Sequence, residues 1–91
     1  MSGEAGAGVS ETGVRAVVEV LAKALTDRPE AVRVVESRHQ QMTLIELFVS
    51  PQDIAKVIGR QGRTAAALRT LASSAGEREG KQVTVEIREA R

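Results

Sequence analysis

Eight consecutive residues carry the most legible chemistry in this chain: Val57-Ile58-Gly59-Arg60-Gln61-Gly62-Arg63-Thr64. Two glycines bracketing two long polar residues permit a tight turn and leave backbone bare enough for another backbone to approach. A helix that starts directly after such a turn offers N–H groups to an anion such as a phosphate. Lys56, Arg60 and Arg63 place positive charge around it. The chemistry this combination suits is clamping of a nucleic-acid strand by its phosphates.

The net formal charge is only +1, which is weak support by itself, but its distribution is uneven. Residues 54–76 hold four basic side chains (Lys56, Arg60, Arg63 and Arg69) and no Asp or Glu, so all twelve acids lie elsewhere. A local positive surface on a near-neutral protein binds phosphate with modest affinity and marked salt dependence. Phe48 is the single aromatic residue. Folds that stack bases on a sheet depend on exposed aromatics. Binding here is therefore expected to use backbone clamping and aliphatic contacts, weakly and with little sequence discrimination.

Catalysis finds no footing. The glycine turn lacks the Gly-x-x-x-x-Gly-Lys-Ser/Thr spacing of a phosphate loop and the strand that should precede it. His39 has no second His or Cys to join it, so neither a metal site nor a nucleophile–base–orienter set is expected. No cofactor is expected either.

The elements that must position the turn follow from periodicity. Residues 1–12 are small, polar and glycine-rich, expected to be a disordered tail, with Ser10 or Thr12 available as a cap. Val14, Val17, Val18, Leu21 and Leu25 mark an amphipathic helix over 13–26, ended by Asp27-Arg28-Pro29. Residues 31–39 alternate as a strand, and Gln40-Gln41 is a chemically weak hairpin turn. His39 should be an exposed residue of that turn. Residues 42–49 are apolar on both faces apart from Thr43 and Glu46, which predicts a central strand. Ser50-Pro51-Gln52-Asp53 has the pattern of a helix start, with Ser50 as N-cap and Asp53 reaching back.

Ile54, Val57 and Ile58 form the buried side of a short helix that stops at Gly59. A second helix runs from residue 63 to 75 or slightly further, with Ala65, Leu68, Leu71, Ala72 and Ala75 inward and Gly80 as its stop. Residues 81–88 alternate as a strand with Val83, Val85 and Ile87 inward. The β-αα-β connection must join parallel strands, while the first strand pairs antiparallel as a hairpin. The expected fold is α+β in the order α-β-β-α-α-β, a three-stranded mixed sheet covered on one face by three helices.

Ninety-one residues, 42% hydrophobic and 27% charged, suit one small domain over 13–91. The absence of cysteine leaves its core to packing alone. No apolar run approaches the ~18–20 residues of a membrane helix, and the start lacks a signal-peptide pattern. A cytoplasmic protein with no membrane partner is expected.

These residues and this order resemble a type II KH domain, in which a Gly-x-x-Gly loop joins two helices. The resemblance covers residues 13–89. Residues 50–69 and 80–87 resemble more narrowly the small bacterial single-KH proteins of the KhpA (YlqC) family. The resemblance implies cytoplasmic binding of single-stranded RNA, an RNA chaperone role and self-association. It also implies partnership with a larger Jag-type RNA-binding protein, KhpB, and in some bacteria a link to cell elongation, division and peptidoglycan homeostasis. A KH domain holds about four nucleotides. Gly59 and Gly62 would then let the strand pass close, where a side chain would obstruct it. Arg60 and Gln61 would meet phosphate or sugar, Lys56 and Arg63 would add charge, Ile54 and Ile58 would wall a shallow groove for bases, and Arg69 would lie further along. The competing reading is a protein-interaction module whose loop and basic helix serve dimerisation or docking.

Overall fold

The computed structural model describes residues 13–90. Their order is α1 (Val14–Leu25), β1 (Arg33–His39), β2 (Met42–Val49), α2 (Ile54–Ile58), α3 (Arg63–Arg78) and β3 (Gln82–Glu89). Single 3-10 turns lie at Pro29–Ala31, Pro51–Asp53 and Arg60–Gly62. The expected tail, and with it the Ser10 or Thr12 cap, falls outside the described residues. Gly13 occupies the N-cap of α1 without any side-chain cap, and Thr26 occupies its C-cap.

The sheet has the order β1-β2-β3, with β1 antiparallel and β3 parallel to the central β2. Hairpin and crossover geometry require this arrangement. His39 pairs with Met42 across the two-residue turn, and Gln40 takes φ +58° there. Such turns demand positive φ, which explains why the Gln-Gln turn carries a weak sequence signal. His39 itself ends β1, exposed, with its Nε2 3.2 Å from Ser37 Oγ. The two faces of β2 differ. Thr43, Ile45, Leu47 and Val49 are buried beneath the helices, whereas Met42, Leu44, Glu46 and Phe48 are half-buried on the open face. Arg33 lies over Phe48, 4.7 Å from the ring centroid.

The core joins Val14, Val18 and Ala22 of α1, Val34, Ile45, Leu47, Val49 and Val85 of the sheet, Val57 of α2, and Leu68 and Ala72 of α3. Two expectations need correction. The first strand starts at Arg33 because the N–H groups of Ala31 and Val32 bond back to the carbonyls of Arg28 and Pro29 (3.0 and 3.1 Å). Proline pre-sets the φ of such a turn. Leu71 is 49% exposed rather than inward. The buried stripe of α3 is Ala65, Leu68, Ala72 and Gly76, and at 3.6 residues per turn position 71 sits roughly 100° from its centre.

Candidate nucleic-acid interface

The glycine turn hangs from α2, a five-residue helix far too short to persist alone. Its anchor is Asp53. Ser50 makes no side-chain cap, and the Asp53 N–H bonds instead to the Ser50 carbonyl at 2.8 Å. The Asp53 side chain does not reach back to Ser50. It is fully buried and accepts the backbone N–H groups of Asp27 (3.2 Å) and Arg28 (3.0 Å). A buried carboxylate needs donors, and the chain leaving α1 supplies two in succession. The start of α2 is thereby tied to the end of α1.

The turn itself is built from left-handed backbone. Gly59 has φ +78°, Gln61 φ +57° and Gly62 φ +75°. Gln61 lacks glycine's freedom, and an L-residue in this conformation carries roughly 1–2 kcal/mol of strain. Strain of this kind concentrates at functional loops. The two glycines are required for different reasons. A Cβ on Gly59 would collide with the Thr64 hydroxyl and lie 2.6 Å from Thr64 Cβ and 2.9 Å from its nitrogen. A Cβ on Gly62 would meet nothing within 4 Å. Gly59 is thus demanded by the protein's own packing, and Gly62 stands against open space.

The donors at the start of α3 are less open than the sequence suggests. The Gly62 N–H bonds to the Gly59 carbonyl (3.1 Å) and the Arg63 N–H to that of Arg60. These 3-10 bonds tighten the entry into α3 and withdraw the Gly62 and Arg63 N–H groups from an incoming anion. Arg60, Gln61 and Arg63 are all exposed, and an Arg63 guanidinium N–H donates to Gln61 Oε1 at 3.0 Å. No acidic residue occupies the first turn of α3. Among the described residues no carboxylate pairs with Arg60, Arg63 or Arg69.

Not every proposed contact gathers here. Gly59, Arg60, Gln61, Gly62 and Arg63 form one contiguous surface. Ile54 and Ile58 flank the buried Val57 and are half-buried, so each keeps some accessible surface. Lys56 turns away to Asp27, with Nζ 2.9 Å from Oδ2, and lies 3.9 Å from Asp53. The hydrogen bond that Lys56 donates to Asp27, then the charge of that carboxylate, hold the Lys56 pKa above the ordinary lysine value. Arg69 donates from Nε to the Val85 carbonyl at 3.2 Å. It partly covers the outer edge of β3, a common guard against stray strand pairing.

The sequence pattern does not reveal the contact between Thr64 and Gly59, and it gives Asp53 a different partner from the one it has. For Thr64 the available signal was a β-branched residue two places after the second glycine. For Asp53 there was none, because its donors come from residues 27 and 28, far away in the chain.

The profile of the KhpA/KhpB KH domain matches residues 15–87. The chain belongs to the KhpA/KhpB KH-domain family. RNA-binding protein KhpA of Clostridium perfringens is 47% identical over 74 residues, covering 81% of this chain and 99% of that protein. The KhpA of Caldanaerobacter subterraneus subsp. tengcongensis is 52% identical over 71 residues (78% and 95%), and that of Aquifex aeolicus 44% over 78 residues (86% and 99%). Era, solved with MgGDPNP and nucleotides 1506–1542 of 16S ribosomal RNA, superposes with a TM-score of 0.59 at 20% identity. That likeness covers 84% of this chain and 29% of Era, and establishes the fold. The KhpA-family chain is a type II KH domain and not an enzyme. No helix among the described residues is long and apolar enough to cross a membrane.

Proposed function

We propose that this chain binds single-stranded RNA, with the Gly59–Arg63 loop gripping the phosphate backbone. The observation carrying this reading is the exposed, acid-free arginine pair on a turn whose second glycine faces open space. Phosphate contacts position a strand, and groove contacts add whatever base preference exists. Ile54 and Ile58 supply apolar groove wall and Arg69 secondary charge, whereas the Lys56 ammonium is engaged by Asp27. The relatives named RNA-binding protein KhpA support the same reading. Partnership with a KhpB-type protein, an RNA chaperone role, cytoplasmic residence and a part in cell elongation and peptidoglycan homeostasis extend it. The paired family description supports only the first of these.

Gly62 is the place to test the clamp, since a substitution at Gly59 would disturb packing against Thr64. Gly62→Asn and Gly62→Asp have nearly the same shape and differ in charge. Fluorescence anisotropy with a labelled single-stranded RNA should show Gly62→Asp binding at least about tenfold more weakly than Gly62→Asn, because a carboxylate placed there repels phosphates. Wild-type affinity should also fall with salt, by roughly 0.7 in log–log slope per phosphate contacted. Equal binding by the two variants, both folded by circular dichroism, would sink the clamp.

A second reading has its own support. Leu71 is a large apolar side chain, 49% exposed, on the same helix as the basic residues, which suits self-association. Light scattering of wild type and Leu71→Glu, with and without RNA, separates the readings. A dimer that Leu71→Glu abolishes and that ignores RNA favours docking.

A further inference from the structure

Lys56 lies within three residues of the glycine turn but is not free to meet a phosphate as it stands. Its ammonium group sits between two carboxylates of unlike character. Asp53 is fully buried and fixed, both oxygens occupied by the N–H groups of residues 27 and 28. The Asp27 side chain is 65% exposed, and its oxygen forms the closer contact at 2.9 Å. Arg28, the other nearby cation, pairs with Glu30 through Nε at 3.3 Å, so among the described residues Lys56 is the ion partner of Asp27. Asp53 also fixes the backbone of Asp27, so the exposed carboxylate cannot drift far from the ammonium group.

We infer that Asp27 is a positioning residue that lowers the RNA affinity of the loop by holding Lys56 away from the phosphate path. The inference rests on the RNA-binding reading and deepens it. A phosphate reaching Lys56 must displace a carboxylate, exchanging one anion for another with little net gain. An exposed ion pair shifts an equilibrium by up to about fivefold, and that factor bounds the effect. Removing the Asp27 charge makes Lys56 available as one additional phosphate contact.

The experiment is a cycle of Asp27→Asn, Lys56→Gln and the double variant, binding a labelled single-stranded RNA across a salt series. Asp27→Asn keeps the backbone N–H that Asp53 accepts, and Asp27→Ser serves the same purpose should Asn perturb the fold. Asp27→Asn should bind about threefold tighter, with a salt slope steeper by roughly 0.7, the value for one further contact on a single strand. Lys56→Gln alone should change affinity by less than about twofold, because the wild-type lysine is already engaged. The double variant should match Lys56→Gln. A gain that survives in the Lys56→Gln background would overturn the inference, since it would reflect only the lost negative charge. Unchanged binding by Asp27→Asn, alongside weakened Gly62→Asp, would overturn it while the clamp stands. Failure of the wild type to bind RNA at all would remove both.

Discussion

The two ends of α3 use the same parts to opposite effect. Each has one glycine dictated by contact, Gly59 against Thr64 and Gly76 against Val83, and one at positive φ facing open space, Gly62 and Gly80. At the C-terminal end the Lys81 N–H bonds to the Gly76 carbonyl (2.8 Å) and the Gly80 N–H to that of Glu77 (3.1 Å). This is a Schellman closure, in which the helix satisfies its own last carbonyls. Its charges close as well, with Lys81 pairing Glu79 at 3.0 Å and Glu36 at 3.3 Å. At the N-terminal end Arg60 and Arg63 stand beside the positive end of the helix dipole with no acid in the first turn. Cations there oppose the macrodipole. One end of the helix is electrostatically complete, and the other carries positive side chains that no carboxylate among the described residues offsets.

The contrast between contact glycines and open glycines can be broken by substitution, measured as urea-unfolding free energies. Gly59→Ala should have the largest effect, about 3 kcal/mol or more, because positive φ and the collision with Thr64 act together. A loss below about 1 kcal/mol would show that the turn relaxes freely. Gly76→Ala comes next at roughly 1–2 kcal/mol, the crowding against Val83 being partly offset by alanine's better helix propensity. Gly80→Ala should cost about 1 kcal/mol, from left-handed strain alone, and leave RNA binding unchanged. Gly62→Asn should cost least, under about 1 kcal/mol, since asparagine tolerates the left-handed region and has room. A larger loss at Gly62 than at Gly59 would invert the assignment of which glycine serves the fold.

Opposite ends of the same helix also show where sequence patterns succeed. The Gly80 stop was legible because a C-terminal glycine signals a local backbone motif. The inward position of Leu68 and Ala72 was legible because a 3.6-residue period is local too. Hydrophobicity alone places Leu71 inward, because it says that a residue is apolar, not how wide the facing surface is. Ser50-Pro51-Gln52-Asp53 failed in another way. The spacing fits a capping box, yet Asp53 found stronger donors in a segment that only the folded chain brings near.

By itself the sequence determined the element order, the central place of β2, the mixed sheet and the position of the glycine turn within an acid-free stretch. Each of these depends on periodicity, turn chemistry or charge along the chain, which are properties of neighbours in sequence. Only the tertiary structure decided that Gly59 answers to Thr64 while Gly62 faces open space. It likewise decided that Asp53 ties α2 to the end of α1, that Lys56 is held by Asp27, and that Arg69 lies on the β3 edge. Those outcomes depend on the distance and direction between side chains, which hydrogen-bond demand and steric exclusion settle once the helices have packed on the sheet.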